Sequence, residues 1–135
     1  MKILVTGAAG FLGYHLCQKL LSRGHWVIGF DNFITGSKEN LISLVKNSKF
    51  IFFERDINFP FILPKKILKV DQIYHLACPT GVDNLIPLAE QMLLTCSLGT
   101  KNVLEIARVN KAKFLFTSSS EIYGDPQISP QDENY

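Results

Sequence analysis

No apolar run in the 135-residue sequence approaches the length of a membrane span. The longest suspicious stretch, INFPFILP, is short and interrupted by Pro60 and Pro64. Charge is scarce in both signs. Lys and Arg number 14 against 12 acidic residues, a net +2 with 19% charged. That balance makes no case for a nucleic-acid partner or a polybasic membrane patch. Cysteine is sparse as well. Cys17, Cys78 and Cys96 are odd in number and lack metal-ligand spacing, and His15, His25 and His75 are scattered. We therefore expect no metal site, and reduced thiols in a cytoplasmic protein.

What is present is a 47% apolar chain, long enough for one domain with a real core. It shows no internal repeat, low-complexity tract or second domain.

Residues 4–14 read LVTGAAGFLGY, with Gly7, Gly10 and Gly13 just after an apolar run. A secretory signal is one reading, but a single lysine is a poor charged region and the glycines would break an apolar helix. The other reading is strand, tight turn, helix. Residues 2–6 are apolar and rich in β-branched side chains. Phe11, Leu12, Leu16, Leu20 and Leu21 then recur at helical spacing, and Arg23-Gly24 closes the helix. A glycine turn at a helix N-terminus lets backbone N–H groups approach a phosphate, where the dipole favours negative charge. Close helix–strand packing without a ligand is the alternative use.

A second strand is expected over 25–31. A short helix follows, with Ser37 as N-cap and Leu41, Ile42, Leu44 and Val45 on its buried face. KFIFFERDI reads as a third strand, residues 58–70 as a proline-broken connection, and DQIYHLA as a fourth strand. Residues 84–110 read as one long helix with Leu85, Leu88, Met92, Thr95, Gly99, Val103 and Ile106 down one side. Pro87 is tolerable only in its first turn. KAKFLFTSSS is the fifth strand. Alternating strands and helices predict an α/β, Rossmann-like doubly wound parallel sheet of about five strands in the order 3-2-1-4-5. The dinucleotide-binding domain would occupy residues 1–124, followed by a polar tail over 125–135.

Ligands of such sheets bind beyond the carboxyl ends of the strands, where the order reverses. Those ends carry the glycine turn, Asp31-Asn32, Asp56-Ile57, Leu76-Ala77-Cys78 and residues 117–121. Asp31 lies about 20 residues beyond the glycine turn, where its carboxylate can accept hydrogen bonds from an adenosine ribose. It would repel a 2′-phosphate, so NAD is expected over NADP. A turn aspartate opening the DN loop is the plainer reading.

TGAAGFLG resembles the TGxxGxxG turn of the extended short-chain dehydrogenases, the NAD-dependent epimerase/dehydratase family. DNFITGSKENL, DQIYHLACP, GTKNVLEIA and TSSSEIYGDPQISPQ are similar to its UDP-glucuronate decarboxylase branch. The resemblance implies that Gly7, Gly10, Phe11, Leu12 and Gly13 serve the pyrophosphate. Asp31, Asn32, Phe33, Thr35 and Gly36 would surround the adenosine ribose, and Asp56 and Ile57 would meet adenine. Leu76, Ala77, Cys78 and Thr95 would flank the nicotinamide half. Ser119 matches the catalytic Ser/Thr, with Ser120 and Glu121 as the polar pair beside the sugar. A strand end capped by hydroxyls is the plainer reading of residues 118–120.

The implied chemistry is oxidation of a nucleotide sugar at C4, with hydride passing to NAD. If C5 bears a carboxylate, the 4-keto sugar is a β-keto acid and loses CO₂ readily, and the ketone is then reduced again. Ser119 would hydrogen-bond the C4 oxygen, and Glu121 would act near C5. The family's base, a tyrosine in YxxxK, has no match, because no tyrosine here has lysine four residues on. Tyr135 resembles the aromatic residue that precedes that segment. We therefore expect the N-terminal part of a longer enzyme or a truncated gene product, inactive alone, with the family's homodimer doubtful. CPTGVDNLIPLA departs from the branch, and Leu94 stands where the branch has lysine. Sugar identity is thus open, with a UDP-sugar favoured. A 4-epimerase or 4,6-dehydratase is the nearest alternative activity. A non-catalytic NAD-binding module is the alternative of another class.

Overall fold

A computed structural model describes every residue except Lys65, Lys66, Leu68 and Tyr135. The expected role of Tyr135 therefore lies outside the described residues. Five strands, β1 (Lys2–Thr6), β2 (Trp26–Asp31), β3 (Phe50–Glu54), β4 (Gln72–His75) and β5 (Lys113–Phe116), form one sheet in the order β3-β2-β1-β4-β5. All four pairings are parallel, as the alternation of strands and helices predicts.

The strands are buried on both faces because successive side chains point to opposite sides. Ile3, Val5 and Val27 pack on one face with Cys17, Leu20 and Leu21 of helix α1 (Phe11–Ser22). Leu4, Ile28 and Ile73 pack on the other with Val103, Ile106 and Ala107 of helix α3 (Thr100–Asn110). Each such aliphatic side chain contributes about 1.5–3 kcal/mol relative to exposure.

The buried face of α1 runs through Gly13, Cys17, Leu20 and Leu21, while Phe11 and Leu12 stand exposed at its first turn. Two expectations need correction. Residues 38–46 are not one helix but two 3₁₀ turns, Lys38–Leu41 and Leu44–Lys46. Leu41 closes the first turn and Leu44 opens the second, and both are buried while Ile42 and Val45 face outward. Ser37 does cap the first turn, accepting from the Glu39 N–H. The helix expected over 84–110 starts only at Ala89 and continues as α2 (Ala89–Leu94), a π turn (Thr95–Gly99) and α3. Regular helix starts only after Pro87, which has no N–H for the ladder. Leu85 is exposed as a result, whereas Thr95, Gly99, Val103 and Ile106 keep to the buried side.

A polar column crosses this otherwise apolar interior. The Thr6 hydroxyl lies 2.7 Å from His75 Nδ1 and accepts from the Leu76 and Ala77 N–H groups. His75 Nε2 lies 2.9 Å from the Thr100 hydroxyl, which in turn donates to the Thr95 carbonyl. Thr100 spends its proton on Thr95, so it accepts from His75 Nε2–H. Nδ1 is then bare and accepts from Thr6. One neutral tautomer satisfies every partner. Burial pushes the His75 pKa down from 6.5 to about 4.

That column generates a pH prediction. The folded-state pKa lies below the unfolded one, so between about pH 6.5 and 4 only the unfolded chain binds the proton. Stability from this group is complete above pH 6.5 and falls as pH drops through that window, by up to about 3 kcal/mol. Urea unfolding at a series of pH values, compared with His75→Gln, should show the difference. An NMR titration placing the His75 pKa near 6.5 would remove its basis.

A second prediction concerns α1. A Cβ on Gly13 would lie 1.9 Å from the Gly7 carbonyl oxygen and 2.7 Å from its carbon. Both obstacles are backbone. Gly13→Ala should therefore lower stability by about 2 kcal/mol or more, read as a fall in the urea midpoint at unchanged slope.

Candidate functional site

The glycine turn begins with Gly7 at φ +72°, a left-handed conformation that favours glycine. Its chain then enters α1 at Gly10, and no side chain caps the helix N-terminus. The first-turn N–H groups of α1 thus face the rim without a built-in acceptor, and no acidic residue occupies that turn. Ala9 is fixed from both sides. Its N–H donates to Asp31 Oδ2 at 2.9 Å, and its carbonyl accepts from Ser37 N–H and Asn40 Nδ2.

Asp31, at the end of β2, is only 8% exposed. Its other oxygen accepts from the Phe33 N–H at 2.8 Å. A carboxylate has about four acceptor sites, so two backbone bonds leave capacity for a ligand. Gly36 lets the loop fold against it: a Cβ there would lie 2.8 Å from Asp31 Oδ1.

These pieces border a cleft of about 540 Å³, open mouth included, across the carboxyl ends of the strands. Gly7, Gly10, Asp31, Asn32, Thr35 and Gly36 line its centre and β2 side. Ile57 lines it beyond β3, and Leu76, Ala77, Cys78 and Thr95 line it beyond β4. Eleven of the residues expected from the sequence are thereby brought together.

Others are placed elsewhere. Gly13 is buried beneath the turn. Phe11 and Leu12 are exposed, and neither is on the cleft wall. Phe33 is at φ +60° with its ring 5.5 Å from that of Phe52, and Lys38 Nζ lies 5.0 Å from its centroid. Asp56 turns to accept from the Asn58 N–H. Ser119 caps a 3₁₀ turn (Ser120–Tyr123), its hydroxyl accepting from the Glu121 N–H. Ser119, Ser120 and Glu121 are all exposed and do not border the cleft.

Phe30, Ile34, Arg55 and Pro79 complete the lining and were not singled out from the sequence. Ile34 lies within a segment already marked, and Phe30 directly precedes Asp31. Arg55 carried no signal beyond its place next to Asp56. It borders the same cleft as Asp31, and its guanidinium carbon stands 5.9 Å from the Phe61 ring centroid.

The donor set fits a dinucleotide. The helix N-terminus and glycine turn suit a pyrophosphate, and the carboxylate suits a ribose diol. Comparison with known proteins agrees. The family described as GDP-mannose 4,6 dehydratase matches residues 4–135. UDP-glucuronic acid decarboxylase 1 of Arabidopsis thaliana is 46% identical over all of this chain, which spans 30% of that protein. The UDP-glucose 4-epimerase of Thermotoga maritima, solved with UDP-glucose, superposes with a TM-score of 0.82 at 30% identity. It covers 97% of this chain and 42% of its own. The Bordetella bronchiseptica enzyme WbmH, solved with NAD⁺, gives 0.76 at 30% identity over 91% of this chain and 40% of its own. With the sheet order, the glycine turn and these matches in agreement, the chain belongs to the NAD-dependent epimerase/dehydratase family.

Proposed function

We propose that these residues form the NAD-binding part of a UDP-glucuronate decarboxylase-type enzyme. The carrying observation is Asp31. It is buried at the end of β2, bonded to the glycine turn through Ala9, and placed on the cleft wall. The choice of reaction rests on the 46% identity with a UDP-glucuronic acid decarboxylase along the whole chain. A UDP-sugar is the substrate favoured on that ground, in a cytoplasmic enzyme.

Bound NAD would supply the hydride acceptor for oxidation at C4. The protein's share is binding and positioning. The uncapped start of α1 would hold the pyrophosphate, with Gly7 and Gly10 permitting close approach. Asp31 would orient the adenosine ribose, beside Asn32, Phe33, Thr35 and Gly36. Asp56 and Ile57 would meet adenine. Leu76, Ala77, Cys78 and Thr95 would exclude water around the nicotinamide. Ser119 would donate to the C4 oxygen, and Ser120 and Glu121 would contact the sugar nearer C5. The second reading, a 4-epimerase or 4,6-dehydratase, draws on the superposition with the Thermotoga epimerase and on the matched family. Glu121 speaks for the decarboxylase, because carboxylate chemistry near C5 has no task in a simple epimerisation.

Titration calorimetry with both cofactors tests the Asp31 role. NAD should bind more tightly than NADP, whose 2′-phosphate would approach a buried carboxylate. Asp31→Ala should weaken NAD by about 1–3 kcal/mol and NADP less. Because Asp31 also holds two backbone N–H groups, Asp31→Asn is the companion variant: it retains an acceptor but removes the charge, and should narrow the gap between cofactors. Equal affinities in the unaltered chain would overturn the ribose assignment.

Catalysis gives a separate prediction. A sugar hydroxyl must lose its proton as hydride leaves, and a serine hydroxyl is too weak a base unless another group activates it. No tyrosine among these 135 residues has lysine four positions on. The chain alone should bind NAD yet release no CO₂ from UDP-glucuronate. Joined to a downstream YxxxK segment and substrate lobe it should turn over, and Ser119→Ala should then slow it by about 10²–10⁴. Turnover by the 135 residues alone would mean the base lies among them.

A further inference from the structure

Two thiols meet at the β4 side of the cleft. Cys78 lies in the loop after β4 and borders the cleft, while Cys96 is exposed on the π turn. Their sulfurs are 3.3 Å apart, across 18 residues of chain. A bonded pair needs about 2 Å, so only a small closing motion separates contact from bond. We infer that Cys78 and Cys96 form a redox-active dithiol that closes to an intramolecular disulfide on exposure to a peroxide, fastening the loop after β4 to the π turn.

The two sulfurs have unequal roles. Cys96 is open to solvent, so a small oxidant reaches it first. Its sulfur attacks the peroxide O–O bond, giving the Cys96 sulfenic acid and one water. The Cys78 sulfur then attacks that sulfenic sulfur, the S–O bond breaks, and hydroxide leaves with the Cys78 proton as a second water. Two electrons pass from the sulfur pair to the peroxide, and the S–S bond is the only new bond in the protein. Burial, and then contact with Cys96, hold the Cys78 thiol protonated, its pKa pushed up to about 12. A protonated thiol is a poor nucleophile, so the second step relies on contact distance to offset the small thiolate fraction of Cys78. Cys17 is buried in the α1 face of the core with its pKa also raised to about 12, and takes no part.

The bond would tie together two cleft walls. Leu76, Ala77 and Cys78 come from one segment and Thr95 from the other, so their spacing would be fixed while the bond lasts. None of this requires the cleft to bind NAD.

The test is to treat the reduced chain with hydrogen peroxide, block remaining thiols under denaturing conditions, and map peptides by mass spectrometry. A Cys78–Cys96 cross-link within one chain is expected, with Cys17 blocked as a free thiol. Hydrogen–deuterium exchange over 76–82 and 95–99 should slow several-fold in the oxidised chain and recover with dithiothreitol. Cys96→Ser should abolish both effects. Blocked, over-oxidised or intermolecularly linked Cys78 and Cys96 would overturn the proposed bond, and unchanged exchange in a cross-linked chain would overturn the fastening.

Discussion

A helix can come as near the end of a strand as α1 comes to β1 only if no side chain stands between them. Gly13 meets that condition, with the Gly7 carbonyl occupying the space a Cβ would fill. The rest of the rim follows from that contact. It sets the first turn of α1 over the end of the central strand, with its N–H groups open to the rim. It puts Ala9 within hydrogen-bond reach of Asp31, which couples the turn to β2. Asp31 then holds the Phe33 N–H and lets Gly36 pass close by. Gly13 thus serves the site by shaping it from below rather than by lining it.

The opposite wall depends on a polar solution to a burial problem. Leu76 and Ala77 leave β4 in a half-buried position where their N–H groups need acceptors. An unmade bond there would cost about 1–3 kcal/mol each. The Thr6 hydroxyl accepts from both, its carbonyl also accepts from the Leu76 N–H, and the hydroxyl proton goes to His75. The column continues through Thr100 to the Thr95 carbonyl, so the wall segment after β4 and the π turn facing it share one chain of hydrogen bonds. A protonated imidazole has no acceptor role to offer Thr6, which is why a neutral His75 and an ordered wall go together.

Strand order, the glycine turn and Asp31 were legible because each has a local signature: apolar runs, a turn composition and a fixed spacing. What was not legible depends on tertiary contact. The pattern Leu41, Ile42, Leu44, Val45 reads equally as one helical face or as two 3₁₀ turns, and only packing against α1 and the sheet decides for the pair Leu41 and Leu44. The π turn has no sequence mark beyond its small residues, yet it allows Thr95 and Gly99 to stay buried while the helix continues. Arg55 and Asp56 show the limit at one strand end. Adjacent residues leaving a strand point to opposite sides, so Arg55 and Ile57 border the cleft while Asp56 between them does not. Arg55 reaches the cleft, and Asp56 closes an Asx turn with Asn58.

The described residues divide unevenly between the two halves of the proposed site. The cleft has its carboxylate and glycine turn fixed by backbone bonds. Ser119, Ser120 and Glu121 stand at an exposed turn after β5, where Leu115 and Phe116 are also about half exposed. Ser119 already accepts a bond from the Glu121 N–H. A hydroxyl that accepts from a backbone donor keeps its own proton to give, and accepting that bond makes its oxygen a poorer base. Its local bonding therefore favours donation to an oxygen that gains negative charge over removal of a proton from it. In the proposed reaction that is the task at C4 once deprotonation begins, and it assigns the base to a different residue on chemical grounds that do not depend on family resemblance.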